Sequence, residues 1–276
     1  MKSFAGRGVV ITGAGSGIGQ ALAEALAAQG ARLLITDVHA ERLQAVAAAL
    51  RAGGASVESR VADAADADAW AALAAQAQAL WGGADVLINN AGFGLVASIE
   101  GAPEAAARRL MDVNFWGPVL GCRALLPQLR RRPEALIVNV SSIFAMISVP
   151  TQGYYNASKA ALRAMSDALR LELQGSNVRL LCVHPGGVKT RIAENATLVD
   201  YQSLAASPAA LARLFDAHAH TTPAQAAAQI VGAMRGGRTR LLVGPDAKLA
   251  DLLWRLFPTR AAGWLTALWL RLRDKA

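Results

Sequence analysis

The apolar run Gly8-Val9-Val10-Ile11 passes directly into Thr12-Gly13-Ala14-Gly15-Ser16-Gly17-Ile18-Gly19 and then into an alanine-rich stretch of helical composition. A strand that turns on glycines into a helix constrains a chain more than any other feature here. Glycine permits the tight turn and a close backbone approach, and the helix N-terminus offers unpaired amides to an anion. The spacing is TGxxxGxG. It is not GxGxxG, because Ile18 occupies the last glycine position, and it is not a Walker A loop, because no Lys-Ser/Thr follows Gly19. Gly13, Ser16, Gly17, Ile18 and Gly19 are therefore candidates to hold the pyrophosphate of a dinucleotide. Taken alone, such a turn also reads as a tight corner without a ligand.

Apolar runs alternate with helical stretches along most of the chain, the pattern of repeated βα units. Strands are expected at 7–12, 31–37, 55–61, 84–88, 134–140, 178–183 and 239–243. Helices are expected at 17–29, 40–52, 66–81, 103–130, 153–174 and 222–235. The fold class is α/β, a doubly wound seven-stranded parallel sheet with helices on both faces and a C-terminal helical extension. With 276 residues, 54% hydrophobic and 17% charged, disorder is excluded and one domain suffices. That domain is placed at 1–245, with an irregular stretch at about 191–221 expected to form a substrate lid, and 246–276 is the extension.

Asp37 ends the second strand eighteen residues past Gly19, near the offset of a ribose-binding acid. A carboxylate there accepts from the 2′- and 3′-hydroxyls and repels a 2′-phosphate, which favours NAD over NADP. Arg42 is the nearest cation, and its plainer reading is a solvated helix residue.

Tyr155-Asn156-Ala157-Ser158-Lys159 lies in an expected helix, so Tyr155 and Lys159 share a face at i and i+4. An ordinary Tyr pKa of about 10 is too high for a neutral-pH base, and a neighbouring cation lowers it. The pair could then exchange a proton with a ketone or alcohol oxygen while a nicotinamide carries the hydride, with Lys159 also reaching the ribose. Tyr154 sits at i−5 from Lys159, rotated off that face, and is expected to pack or line the pocket.

With Asn89-Asn90-Ala91-Gly92 after the fourth strand, Asn114 in Met111-Asp112-Val113-Asn114, and Ser142 ahead of Tyr155 and Lys159, the chain resembles the short-chain dehydrogenase/reductase family over roughly 1–245. The resemblance implies a Rossmann-type sheet and an alcohol/ketone oxidoreductase. It implies that Ser142, thirteen residues before Tyr155, bonds the substrate oxygen, with Ser141 as the fallback. Asn114 would hold a helix distortion and a water that links Lys159 to solvent. Asn90 and Gly92 would pass the adenosine ribose and support the central strand. Asp63 would read the adenine amine or serve as a helix N-terminal acid. Pro185, Gly186, Val188 and Thr190 would contact the nicotinamide side, and His184 is expected to be a packed histidine. Homodimers or homotetramers are what the family commonly forms.

The remaining features bound the partners. The four histidines are scattered, so no metal is expected, and no GxSxG elbow supports a hydrolase. Cys122 and Cys182 lack paired spacing and no secretory run precedes the first strand, which suggests a cytoplasmic chain with reduced thiols. The net charge of +8 comes without a recognition helix or a one-sided basic run, so no nucleic-acid partner is expected. In the extension, Leu249, Leu252, Leu253, Leu256 and Phe257 recur at helical spacing before Pro258, and Trp264, Leu265, Leu268, Trp269 and Leu272 form a second stripe among Arg260, Arg271, Arg273 and Lys275. Neither stripe is long enough to span a bilayer. The ordinary expectation is that they pack on the domain, roof the pocket or meet a second subunit, and the other is peripheral membrane contact. The functional expectation is a reversible oxidoreductase acting on a bulky apolar alcohol or ketone, such as a steroid, retinoid or lipid. A dinucleotide-binding sensor or scaffold without turnover is the alternative.

Overall fold

The computed structural model describes residues 1–192, 195–199, 207, 209, 213, 216–217, 219–264 and 266–267. In chain order the elements are β1 (Gly8–Thr12), α1 (Gly17–Ala27), β2 (Arg32–Asp37), α2 (Ala40–Ala52), β3 (Val57–Val61), α3 (Ala67–Trp81), β4 (Val86–Asn89) and β5 (Leu95–Val96). They continue with α4 (Glu104–Met111), a π-helical turn (Asp112–Trp116), α5 (Gly117–Leu129), β6 (Ala135–Val140), a 3-10 turn (Ile143–Ala145) and α6 (Gly153–Glu172). The last are β7 (Val178–Pro185), β8 (Thr197–Leu198), α7 (Pro223–Arg235), β9 (Arg240–Val243) and α8 (Pro245–Leu256).

Seven strands form one parallel sheet in the order β3-β2-β1-β4-β6-β7-β9. Strands covered on both faces need apolar side chains in both directions, which is why β1 and β6 are buried at every residue. Val9 and Ile11 of β1 join α1 and α7 in one core layer, whereas Val10 joins α3 and α5 in the other. The order reverses between β1 and its neighbours β2 and β4, and the crevice beyond the strands' carboxyl ends at that reversal is where such sheets bind ligands.

The expected helix over 103–130 is two helices joined by the π-helical turn. Asn114 in that turn is fully buried and bonds the Phe93 backbone through both side-chain ends, which pulls the helix off its regular path. The two-residue strands β5 and β8 pair with each other and were not foreseen. Most of the lid expected at about 191–221 falls outside the described residues, as do Leu265, Leu268, Trp269, Leu272, Arg271, Arg273 and Lys275.

The extension begins as α8, but three of its four leucines are exposed and only Leu253 is half-buried. Its buried side is Ala247, Ala250 and Asp251 with the partly buried Trp254, packed on Ile143, Met146 and Ile147. Leu249, Leu252, Leu256 and Phe257 are exposed, so, of the expectations for this stripe, packing on the domain does not account for these four, whereas a subunit or membrane contact is left open. Small residues let α8 approach the 3-10 turn closely, and Arg240 bonds both oxygens of Asp251 at 2.5 and 3.3 Å, which fixes the helix's rotation.

Candidate active site

The glycine turn closes the crevice at its β1 end. Gly13 has φ of 65°, and a Cβ there would meet the Ala91 backbone at 2.8 Å, so a side chain is excluded on both counts. A Cβ on Gly19 would collide with the Gly13 carbonyl oxygen, so Gly19 lets α1 sit against the turn. Asn90 locks the arrangement by donating to the Thr12 and Gly13 carbonyls, each at 3.0 Å. Ser16 caps α1 without a side-chain hydrogen bond and no acid lies in the first turn, so the helix's first amides and its dipole remain open to an anion. A dinucleotide therefore fits this end on the structure's own terms.

Asp37 accepts from the Gly15 amide and the His39 amide, each at 2.9 Å. Two backbone donors hold the carboxylate at the pocket wall with lone pairs to spare. Arg42 is engaged by Asn195, which lines the same cavity, donating to its Oδ1 at 3.2 Å. Asp63 lines the same end of the pocket and pairs with Arg109 at 2.6 Å. It is not the cap of the following helix; that position is filled by Asp66, which accepts from Asp68.

Tyr155 and Lys159 are both buried on α6. Burial pushes the Tyr155 phenol up to about 12, against a smaller lowering from its hydrogen bond with Ser142. The expectation that the neighbouring cation lowers this pKa is corrected, because burial is the leading cause and acts in the opposite direction. Lys159 Nζ lies 5.8 Å from the Tyr155 ring centre and donates to the Val140 carbonyl at 3.1 Å, and burial brings its own pKa down to about 8. Desolvation is the leading cause of the shift for both groups. Tyr154, at the rotated position, bonds the Ile99 carbonyl at 3.2 Å.

The two serines separate cleanly. Ser141 donates to the Lys159 carbonyl at 2.9 Å, whereas Ser142 caps the 3-10 turn, stays beside Tyr155 and lines the pocket. His184 is buried, with Nδ1 donating to the Ser142 carbonyl at 3.2 Å. Burial, helped by Arg240, lowers its pKa to about 4, so it is a neutral packed residue that steadies Ser142. Asn114 also bonds Ser158 at 3.1 Å, and its Oδ1 and Lys159 Nζ both come within about 3 Å of where a Gly92 Cβ would be. Gly92 makes room for both.

The segment after β7 forms the opposite wall. Val188 bridges Thr221, and a Cβ on Gly17 would stand 3.1 Å from Thr190, so this segment faces the glycine turn across the crevice. Sequence reading missed its support, Asp246 of α8, which lines the pocket and accepts from the Gly187 amide at 2.6 Å. The signal was hidden because Asp246 lies beyond the last strand, 59 residues from the Gly187 it holds. Asp246→Ala is expected to weaken cofactor binding about tenfold, from the loss of one charge-assisted hydrogen bond, with kcat little changed. Titration of cofactor fluorescence checks this; unchanged affinity would remove the role.

Together these walls enclose a cavity of about 700 Å³ that runs from Asp37 and Asp63 past the glycine turn to Ser142 and Tyr155. Residues 7–199 match the family described as short chain dehydrogenase. SadH of Mycobacterium tuberculosis is 39% identical over 259 residues, covering 93% of this chain and 92% of its own length. A short-chain dehydrogenase/reductase from Burkholderia phymatum, solved in complex with NAD, superposes with a TM-score of 0.85 at 29% identity over 93% of this chain and 96% of its own. A metagenomic short-chain oxidoreductase solved in complex with NADP gives a TM-score of 0.69 at 30% identity over 87% and 97%. The motif order, the sheet and these likenesses agree, and the chain belongs to the short-chain dehydrogenase/reductase family of nicotinamide-dependent oxidoreductases.

Proposed function

We propose that the chain moves a hydride reversibly between a secondary alcohol and a ketone on a bulky apolar molecule, using NAD(H) in preference to NADP(H). The observation that carries the reaction is the Ser142 hydroxyl beside the Tyr155 phenol, with Lys159 one turn further along the same helix. When bound, the nicotinamide supplies or accepts the hydride. Tyr155 gives its proton to the carbonyl oxygen in reduction and takes it back in oxidation, while Ser142 holds that oxygen by a hydrogen bond. Lys159 stabilises the phenolate and, with Asn114 at its side, takes part in returning the proton. The Val140 carbonyl holds the Lys159 amine in place ahead of the transfer.

The substrate end is apolar. Phe144 stacks edge-on to Tyr155 at 6.2 Å, and Val96, Ile147, Val149 and Ala250 line the space beyond. Such walls reward a hydrophobic carbon skeleton and offer a small polar substrate few partners. Steroid, retinoid and long-chain ketones, assayed with each cofactor, test the reading. Turnover is expected with kcat/KM about tenfold or more higher for NADH, consistent with one to two charge-assisted hydrogen bonds from Asp37. Asp37→Ser is expected to narrow that ratio, and a preference of the parent chain for NADPH would overturn the assignment.

A further inference from the structure

We propose that the outer face of α8 and the turn after it dock on an anionic lipid surface. Leu249, Leu252 and Leu256 are 55, 53 and 61% exposed, so this helix turns three of its four leucines to solvent and its alanines to the core. Phe257 and Trp264 extend the patch and hold each other edge-to-face at 5.1 Å. A contiguous apolar patch of this kind marks an interaction surface.

Charge chooses the occupant. Lys248, Arg255 and Arg260 are exposed around the patch. The acids of the segment point inward, with Asp246 on the Gly187 amide and Asp251 held by Arg240 and Arg255. The sequence beyond adds Arg271, Arg273 and Lys275 against Asp274 alone. A leucine and aromatic face rimmed by cations matches the interfacial region of an anionic bilayer. Pairing this face with itself about a two-fold axis would bring the same cations together, which disfavours a second copy. Among the described residues no helix is long and apolar enough to cross a membrane, so the contact is peripheral.

The location adds a consequence that rests on the apolar-substrate reading. Ala250, on the inner face of the same helix, and Thr266 line the catalytic pocket, so docking would set the pocket beside the acyl-chain region. A lipid-dissolved ketone or alcohol would then reach Tyr155 without crossing bulk water.

The test is co-sedimentation of the full chain, without substrate, with vesicles of phosphatidylcholine and phosphatidylglycerol and with vesicles of phosphatidylcholine alone. Binding is expected to the anionic vesicles, to weaken with salt, and to fall about tenfold or more in Leu252→Glu/Leu256→Glu. Both side chains are exposed, so the thermal midpoint and turnover of a water-soluble ketone should match the parent. Two outcomes overturn the proposal. One is equal partitioning of the parent and the double variant. The other is a parent that ignores vesicles but forms an assembly which the double variant dissolves, and this would assign the face to a second copy. Because binding is read without turnover, a chain that docks but reduces no ketone would refute the proposed function alone.

Discussion

Tyr155→Phe is expected to lower kcat by about two to four orders of magnitude, the usual worth of a positioned general acid. Phe keeps the ring that packs edge-on against Phe144 and removes only the oxygen. The glycine turn, Asp37 and the 185–190 segment lie elsewhere in the cavity, so cofactor affinity should stay within about twofold of the parent. Stopped-flow measurement of hydride transfer separates the two quantities. Activity equal to the parent would strip Tyr155 of its role, and a parent chain that binds cofactor but turns over no substrate would favour the sensor reading.

The pH dependence has a definite sign. With the phenol raised to about 12 by burial, Tyr155 is protonated throughout the neutral range and stands ready as the acid for ketone reduction. Alcohol oxidation requires the opposite state, so its rate should climb with pH while reduction does not. Lys159 is lowered to about 8 by burial, which keeps it charged below that value and lets it lose its proton above. On the role proposed for Lys159 in stabilising the phenolate, the climb in oxidation should flatten above pH 8 in the parent.

The sheet was legible because a parallel strand buried on both faces is written as a continuous apolar run; each of its seven expected strands matches an observed one with edges differing by two residues or fewer. Asn114 shows where local reading stops. Nothing in Met111-Asp112-Val113-Asn114 breaks a helix, and the π-helical turn depends on hydrogen bonds to Phe93 and Ser158, which only the tertiary fold delivers. The raised Tyr155 pKa has the same origin, because burial is not a property of an i,i+4 pair. In α8 the leucine periodicity marked an apolar stripe correctly but not the side on which it lies. Ala247, Ala250, Asp251 and Trp254 recur with the same helical period, and the Arg240–Asp251 pair selects them to face inward. Ser142 was ranked over Ser141 by its offset from Tyr155, and the fold adds a physical reason, since the Ser141 hydroxyl is engaged by the α6 backbone.

Asp85→Ala is expected to cost about 3 kcal/mol of folding stability, the lower end of the range for breaking a buried charged pair. Asp85 is completely buried where β1 and β4 begin, at the sheet end opposite the catalytic crevice. Its carboxylate accepts from the Gly8 amide at 2.9 Å, from Arg132 at 2.9 and 3.3 Å, and from Arg7 at 3.2 Å. Alanine would leave the Gly8 amide without its acceptor and two guanidinium groups facing an apolar void. The arginine side chains are 30 and 23% exposed, so water can partly replace the lost partner, which is why the lower end applies. Asp85→Asn keeps an oxygen for Gly8 and should lose about half as much. Urea unfolding measures both, and kcat well below the unfolding midpoint should match the parent because no residue of this cluster reaches the crevice. A loss in Asp85→Ala under about 1 kcal/mol would show instead that the arginines are adequately solvated and that the cluster contributes little to holding β1 against β4.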